Sequence, residues 1–403
     1  MIFPSVLLIA IDNWYGGPRL PTALSQAGLQ VGLLCTADNN AAKSRGVQRC
    51  FPVLSNDNWQ IIDDALRRVL DDFRPDFIVP TDERAVQLVR RLGKSVEGRG
   101  SFALRKSLRR SLPTRVSILG RTRMHCVAEQ AGIPCPTYAS ARSPGHAVEF
   151  VRRHGWPVYL KRDNTAGGSG VSLCDNETAL VEAFARLTNT NNPLSSPAQA
   201  LRGLRQFFRS LGIGSDAGMS VEAAVTGQPA FHTAVALDGQ WLAGISAEVE
   251  AFYPPPNGPS TRVRLHRDPV MEKYASALIA RLGYNGFCGL DFIRRPDQSI
   301  VFLEFNARPT PVAHLGGLIG CDLAAALFAA LTDDRTFVLP DDPPARRVAL
   351  FPQDWLRDPR ADRTELYCDI PYDDDALVAA LSADLPMDWM RYPNLPRRSG
   401  LVS

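Results

Sequence analysis

Acidic, amide and basic side chains interrupt two apolar runs near residue 300. Asp291 lies inside the first run, and Glu304 and Asn306 lie at the end of the second. Because side chains two residues apart in a strand share a face, Glu304 and Asn306 would point the same way. Two carboxylates with an amide oxygen, and no Cys or His, form a hard oxygen site that suits Mg²⁺ held against phosphates. Arg308 would add a fixed positive fork for a phosphate or carboxylate.

The element that must position these side chains is a β-hairpin. Residues 289–293 and 300–305 alternate in strand fashion, are rich in β-branched and aromatic residues, and flank a turn at 294–298. In such a hairpin Asp291 and Glu304 would face each other across the ladder. A surface hairpin with solvated charges is the alternative. We favour a binding site, because Asp and Glu are poor strand residues and two of them stand in otherwise apolar strands.

A second candidate site follows a predicted strand at 158–160. Lys161 ends that strand, and a glycine-rich turn leads to another strand at 171–174. A lysine beside such a turn suits phosphate, because backbone N–H groups can approach the oxyanion while the ammonium neutralises its charge. The P-loop pattern and GxGxxG are both absent, and a flexible hairpin turn is the alternative. The turn residues concerned are Gly167, Gly168, Ser169 and Gly170.

Strands and helices alternate through residues 1–115, which indicates a parallel sheet with helices on both faces. Ligands of such sheets collect beyond the carboxyl ends of the strands. The residues that follow two of the predicted strands are Asp12, Asn13, Gly16, Gly17, Thr81, Asp82 and Glu83. For any one of these, a loop cap is as good an interpretation as a substrate contact.

The rest of the chain has fewer chemical signals. Residues 94–123 form a basic connection, and 188–218 form a polar excursion around an apparent helix at 198–211. Helices are predicted at 121–131, 269–282 and 322–331, and strands at 219–225, 230–237 and 241–246. Residues 332–403 are proline-rich, with little readable chemistry.

Composition excludes several classes of protein. The 403 residues are 45% apolar and 22% charged with a net charge of +3, which is ordinary for a globular protein and argues against a nucleic-acid binder. The eight cysteines form no CxxC pairs, which argues against structural zinc and disulfides and favours a reducing cytosol. No apolar run approaches the ~18 residues of a membrane span. The N-terminal segment is typical of a first strand and not of a signal peptide.

The order of these parts resembles the ATP-grasp superfamily over roughly residues 5–330. The resemblance rests on Lys161 with its glycine-rich turn, the strands of 219–246, and the sequences GLDF and FLEFNARP. It implies an α/β fold with an N-terminal parallel-sheet domain and a small C-terminal piece. The implied divisions are an N-terminal domain at 1–115, an ATP-grasp domain at 116–330 with a lid-like subdomain at about 150–225, and a C-terminal region at 331–403.

The resemblance also implies roles for individual residues. Lys161 and Arg121 would contact the nucleotide phosphates under the glycine loop, and Arg308 would stabilise the acyl phosphate. Arg121 stands where the family usually has a lysine. The hinge that reads the adenine edge would consist of Glu222, Ala223 and Val225, and the metal ligands would be Asp291, Glu304 and Asn306.

Other positions are less determined by the resemblance. Either Arg262 or Arg264 would reach the triphosphate in preference to His266, a loop histidine. His314 would contact the acceptor substrate or be satisfied by backbone. The family's ribose-binding glutamate is not evident, since Gln228, Pro229 and Ala230 stand there.

The implied activity is ATP-dependent joining of a carboxylate to an amine through an acyl phosphate, with release of ADP and Pi. ATP and Mg²⁺ are the implied cofactors, with Mn²⁺ as a substitute, and the partners are small-molecule substrates without nucleic acid or membrane. A homodimer is compatible with the family, and the expected location is the cytoplasm. The alternatives are a purine-pathway or carboxylase-type enzyme and a nucleotide-binding module without turnover.

Overall fold

The computed structural model describes residues 3–53, 58–96, 120–163, 170–188, 218–255, 258–386 and 389. The apparent helix at 198–211, nearly all of the polar excursion and most of the basic connection lie outside these ranges. Three sheets organise the described residues, and each contributes to one cavity.

The first sheet is parallel and has four strands in the order β3-β2-β1-β4. Its strands are β1 (Ser5–Ala10), β2 (Gln30–Thr36), β3 (Arg49–Val53) and β4 (Phe77–Pro80). Its helices are α1 (Leu20–Gln26), α2 (Trp59–Phe73) and α3 (Glu83–Val96). All six residues of β1 are buried, with alternate side chains in two separate cores. This explains the continuous apolar sequence of β1 and confirms the predicted parallel sheet.

The second sheet is antiparallel, with strand order β5-β8-β6-β7. Its strands are β5 (Tyr138–Ser140), β6 (Val158–Arg162), β7 (Val171–Cys174) and β8 (Met219–Ala223). Helices α5 (Pro144–His154) and α6 (Glu177–Thr188) pack on it around a shared apolar core. Residues of β6 and β8 on the opposite side from that core therefore remain available to line the cavity.

The third sheet has seven strands in the order β13-β12-β9-β10-β11-β14-β15. The first five in chain order are β9 (Gln228–Leu237), β10 (Gln240–Phe252), β11 (Ser260–His266), β12 (Gly286–Arg294) and β13 (Ile300–Asn306). The helices beside this sheet are α4 (Arg121–Gln130), α7 (Pro269–Leu282) and α8 (Leu323–Thr332). Strand β10 is longer than the predicted 241–246, because its second half pairs with β11.

Local sequence signals explain where α7 begins and ends. The Asp268 carboxylate accepts hydrogen bonds from the backbone N–H groups of Val270 and Met271 at 2.9 and 3.0 Å, and Pro269 occupies the first turn. Gly283 ends the helix with φ +56°, a conformation that favours glycine. The predicted bounds of α7 are confirmed.

The C-terminal region extends the third sheet. Strands β14 (Arg346–Ala349) and β15 (Tyr367–Cys368) add to its edge, and α9 (Gln353–Arg357) and α10 (Asp375–Leu381) cover it. Within the described ranges, no helix combines the length and apolarity needed to cross a membrane. All eight cysteines are free thiols.

Candidate active site

A cavity of about 480 Å³ lies between the second and third sheets and is reached by the loop after β1. Its apolar walls include Tyr159, Val171 and Phe252, whereas Trp14 comes from that loop. The charged residues that line it are Arg121, Lys161, Glu222, Asp291, Glu304 and Arg308. Each of these six was identified from the sequence, and the structure brings them together.

The hairpin of β12 and β13 places two carboxylates opposite each other. Asp291 pairs with Glu304 in the register, so the predicted facing arrangement is confirmed. A bulge after this pair leaves Leu303 opposite no partner, because the next pair is Phe292 with Phe302. The Leu303 carbonyl instead lies 3.0 Å from a ring nitrogen of His125 on α4, which ties the hairpin to that helix.

The residues at this pair fit a hard divalent cation. Burial and, after it, the neighbouring Glu304 carboxylate raise the pKa of Asp291 to about 6. The Asn306 side-chain amide donates to Asp291 at 3.0 Å. A cation between the two carboxylates would remove their repulsion, and Mg²⁺ commonly takes only one or two protein carboxylates beside phosphates and water. Within the described ranges, no three His, Cys, Asp or Glu residues cluster for metal binding.

Arg121 is the first residue of α4, and its side chain reaches the Glu304 carboxylate of the hairpin. Its Nη1 atom lies 2.9 Å from Oε2 of Glu304. Its backbone N–H donates to Asp163 at 3.0 Å, which fixes the start of the helix. Burial alone would lower the pKa of Arg121, but Glu304, Glu222 and Asp163 together raise it. The guanidinium is therefore a fixed positive charge beside Glu304.

Lys161 is paired with a buried glutamate on the next strand. Its ammonium donates to the carboxylate of Glu222, whose other oxygen accepts from the Ser220 hydroxyl at 3.3 Å. Lys161 is 7% exposed and Glu222 is 1% exposed. The carboxylate offsets the cost of burying the Lys161 ammonium group at the cavity wall.

The Arg308 side chain lies between Trp14, in the loop after β1, and Glu83, the first residue of α3. Its guanidinium carbon lies 4.9 Å from the centre of the Trp14 ring, and its Nε lies 3.8 Å from Oε2 of Glu83. Burial raises the pKa of Glu83, whereas the Arg308 charge lowers it. Gly16 permits the loop after β1 to approach the backbone next to Arg308, since a Cβ on Gly16 would lie 3.0 Å from the Pro309 carbonyl oxygen.

The other residues after β1 and β4 mostly organise their own loops. The Asp82 carboxylate accepts from the backbone N–H groups of Ile11 and Asp12 at 2.7 and 3.1 Å, and Asp12 pairs with Arg84 at 3.0 Å. Burial and the nearby Asp12 raise the pKa of Asp82 to about 7. Asn13 accepts from a backbone N–H at 2.7 Å. The loops thus meet at one edge as predicted, and for Asp82 and Asn13 the loop-cap interpretation fits these contacts.

Arg262 and Arg264 are not brought into the cavity, which corrects the expectation that one of them reaches a triphosphate. Arg262 Nε lies 3.0 Å from Asp354, a fully buried carboxylate of the C-terminal region, and Arg264 pairs with Glu248 at 2.7 Å. Asp354 also binds two further arginines. These arginines therefore neutralise protein carboxylates, and the local sequence of Arg262 could not reveal a partner 92 residues away.

Both histidine expectations change with the structure. His266 is the last residue of β11 and not a loop residue, and its Nδ1 lies 3.2 Å from the Arg264 carbonyl oxygen. His314 Nε2 lies 3.0 Å from the Asp369 carboxylate, which Arg19 also binds at 2.8 Å. The partner of His314 is thus a protein carboxylate, whereas the expected partner was a substrate or a backbone group. It joins three distant parts of the chain.

The glycine loop and the hinge are described in part. Gly167, Gly168 and Ser169 lie outside the described residues, whereas the Gly170 carbonyl accepts from the Arg162 N–H at 2.8 Å. In the hinge, Ala223 and Val225 line the cavity beside Glu222. The Ala223 N–H donates to the Thr137 carbonyl at 2.9 Å and is already used.

Trp14 is one of the lining residues that sequence reasoning missed. It stands between Asn13 and Gly16, which were identified as loop residues after β1. An aromatic residue in a glycine-bearing loop at a ligand-binding edge was the available signal.

Residues 120–198 match the family described as carbamoyl-phosphate synthase L chain, ATP binding domain. A curated relative is the carbamoyl phosphate synthase large chain of Beutenbergia cavernae, 27% identical over 240 residues. That match covers 55% of this chain and 21% of the relative, so the matched segment spans about a fifth of the relative's length.

Solved structures with similar folds include the biotin carboxylase domain of Hydrogenobacter thermophilus 2-oxoglutarate carboxylase, determined with MgADP, ADP and bicarbonate. The TM-score is 0.60 at 16% identity, over 87% of this chain and 74% of that one. The L-amino acid ligase of Bacillus licheniformis gives 0.59 at 15% identity, over 86% and 79%. The N5-carboxyaminoimidazole synthetase of Staphylococcus aureus gives 0.57 at 13% identity, over 85% and 81%. At these identities the likeness shows the fold.

Proposed function

We propose that the chain is a member of the ATP-grasp superfamily and joins a carboxylate to an amine at the expense of ATP, which the match of residues 120–198 to an ATP binding domain and the similar folds support. The observation that carries the proposal is the register pair Asp291–Glu304, which faces the same cavity as three cationic side chains. Carboxylates for a metal and cations for phosphate are what transfer of a phosphoryl group requires of a protein. The amino acid or peptide-like nature of the substrates is the plain expectation for such a ligase.

The nucleotide would occupy the wall formed by the second sheet and the hinge. Ala223 and Val225 would contact the adenine, while Lys161 and Arg121 would bind the phosphates under the glycine loop. Asp291, Glu304 and Asn306 would hold Mg²⁺, or Mn²⁺ in its place, and the metal would offset charge on the phosphate oxygens.

The reaction would proceed in two displacements. An oxygen of the substrate carboxylate attacks the γ-phosphorus of ATP, ADP leaves, and an acyl phosphate remains. The amine then attacks the acyl carbon, phosphate leaves, and the amine nitrogen gives up a proton to form the amide. Arg308 would stabilise the acyl oxygens through both steps, since Trp14 and Glu83 hold its guanidinium in place. The protein itself supplies position and charge and needs no nucleophile.

Two other activities are carried as alternatives. The similar biotin carboxylase domain was determined with bicarbonate, and the matched family comes from carbamoyl-phosphate synthase, which favour a carboxylase-type or purine-pathway activity with a small carboxylate. A nucleotide-binding module without turnover is favoured by Arg121 at the usual lysine position and by Pro229 near the expected ribose glutamate.

ADP release measured over substrate panels separates the three activities. The full chain is incubated with ATP and Mg²⁺, and amino acids and short peptides are supplied singly and in pairs. Bicarbonate is supplied in parallel, alone and with amines. ADP that requires both a carboxylate and an amine supports the ligase, whereas ADP that requires bicarbonate supports the carboxylase type. Binding of ATP without ADP from any panel would contradict both enzymes and leave the module.

Two further proposals concern the setting of the enzyme. We propose a homodimer, since the similar 2-oxoglutarate carboxylase domain is described as a dimer. Analytical ultracentrifugation that gives a single monomer species at micromolar concentration would contradict it. We also propose a reducing, cytoplasmic location, which the eight free thiols support. Labelling the thiols in freshly lysed cells tests this proposal.

A further inference from the structure

Every cation of the cavity is matched by a protein carboxylate. Lys161 pairs with Glu222, Arg121 with Glu304 at 2.9 Å, and Arg308 lies 3.8 Å from Glu83. The six charged residues that line the cavity carry three positive and three negative charges. A metal-bound triphosphate therefore meets groups that already satisfy one another, and its binding must exchange these partners.

The Arg121–Glu304 pair joins a cation that we propose to bind phosphate to a carboxylate that we propose to bind metal. The guanidinium occupies the side of Glu304 at hydrogen-bonding distance, and the arginine side chain is only 9% exposed. This contact draws on the negative charge of the Glu304 oxygen that would otherwise face a divalent cation. The positive guanidinium would also repel a second cation so close by.

The backbone of Arg121 is anchored independently of the contact that its side chain makes with Glu304. Its N–H is held by Asp163 at the start of α4, and Gly120 and Gly218 both pack against that carboxylate. A Cβ at either glycine would lie 2.5 or 2.8 Å from an Asp163 oxygen, so Asp163 is confined. Asp163 and Lys161 lie two residues apart at the end of β6. Phosphates beside Lys161 would thus be near the fixed base of Arg121.

We infer that Arg121 is an exchangeable counter-ion, which neutralises Glu304 until a triphosphate draws its guanidinium away and frees the carboxylate for metal. The inference rests on the proposed ATP-binding function and deepens it. Free divalent metal then binds poorly, and metal and nucleotide bind as one unit. Arginine suits this role because its planar fork binds carboxylate and phosphate equally well.

Metal binding without nucleotide tests the exchange directly. The probe is Mn²⁺ alone, with the free ion followed by electron paramagnetic resonance during titration of the full chain. Arg121→Gln should tighten Mn²⁺ binding by about tenfold or more, because the competing charge is gone. The same variant should weaken binding of ADP by about tenfold, measured by calorimetry. A mutation that only damages the fold would weaken both ligands, so the opposite signs are diagnostic.

Two variants control for charge and for folding. Arg123→Gln removes the same charge from an exposed position on the same helix, and both affinities should match the wild type. Arg121→Lys keeps a cation at the site, so Mn²⁺ should bind nearly as weakly as in the wild type. Unchanged or weaker Mn²⁺ binding in Arg121→Gln would overturn the inference. If wild-type protein binds no nucleotide with Mn²⁺ present, the proposed function fails as well.

Discussion

Replacing Asp291 by asparagine should make the protein more stable while removing a ligand of the proposed metal site. Asp291 is ionised at neutral pH although burial and the adjacent Glu304 carboxylate disfavour its charge. Asparagine has nearly the same shape, and its amide oxygen can accept the hydrogen bond that Asn306 now donates at 3.0 Å. The substitution thus removes an unfavourable charge without opening a cavity.

The size of the gain follows from the pKa of Asp291. A rise from the ordinary 3.8 to about 6 corresponds to about 3 kcal/mol of disfavoured charge, at about 1.4 kcal/mol for each pKa unit. We therefore expect the free energy of unfolding of Asp291→Asn to exceed that of the wild type by about 3 kcal/mol at pH 7.5. Most mutations destabilise, so a gain of this size is diagnostic.

The pH dependence gives the sign a separate check. Because the pKa is higher in the folded protein, the folded state takes up the proton first as the pH falls from about 6 to 3.8. The charge penalty of the wild type is therefore complete above pH 6 and disappears as the pH falls to the unfolded value. The advantage of Asp291→Asn should be full at neutral pH and lost near pH 4.

Urea unfolding at a series of pH values measures both effects. Asp64→Asn, an exposed substitution of the same kind on α2, serves as the control and should change the unfolding free energy little. Adding Mg²⁺ with ADP should stabilise the wild type more than Asp291→Asn. Equal or lower stability of Asp291→Asn at pH 7.5 would refute the reasoning that Asp291 is an unfavourably charged group kept for a ligand.

Three other substitutions test separate parts of the structure. Glu304→Ala should abolish Mg²⁺-dependent ADP release with a near-normal melting temperature, and unchanged activity would remove Glu304 from the metal site. Lys161→Ala should weaken ATP binding by about 10- to 100-fold, since a hydrogen bond to a charged group contributes about 1.5–3 kcal/mol; wild-type affinity in calorimetry would reassign the phosphate contact. Asp354→Asn should lower the unfolding free energy by about 3–5 kcal/mol, because it leaves arginines unpaired around a fully buried position. The exposed Asp362→Asn should cost under about 1 kcal/mol, and equal losses for the two would contradict this role of Asp354.

The hairpin could be predicted because its chemistry and its local structure use the same residues. Alternation defines the two strands, whereas the register that places Asp291 opposite Glu304 depends on the bulge between this pair and the pair Phe292–Phe302. Lys161 was accessible for a similar reason, as it ends a short strand beside a glycine-rich turn. Signals contained within about ten residues survive without knowledge of the fold.

Pairings over long sequence distances could not be predicted. Arg262 has the charge to bind phosphate, but Asp354, which is 92 residues away along the chain, neutralises it. The basic side chains themselves do not reveal whether the fold supplies a carboxylate. The C-terminal region is a similar case, because β14 and β15 are too short to be recognised until they pair with β11 and each other.

The three sheets supply different groups to the cavity, and this difference indicates which part of the chain would select the substrate. The second sheet and the hairpin supply the cations and carboxylates that suit a metal-bound nucleotide, which any ATP-dependent reaction at this site would share. Among the described cations of the cavity, Arg308 alone contacts both Trp14, in the loop after β1, and Glu83, at the start of α3. A carboxylate that reaches Arg308 must therefore fit beside the loop after β1, where Gly16 already approaches the Pro309 carbonyl closely. Under the proposed function, differences in that loop would change the carboxylate that is activated without disturbing the groups proposed to bind ATP.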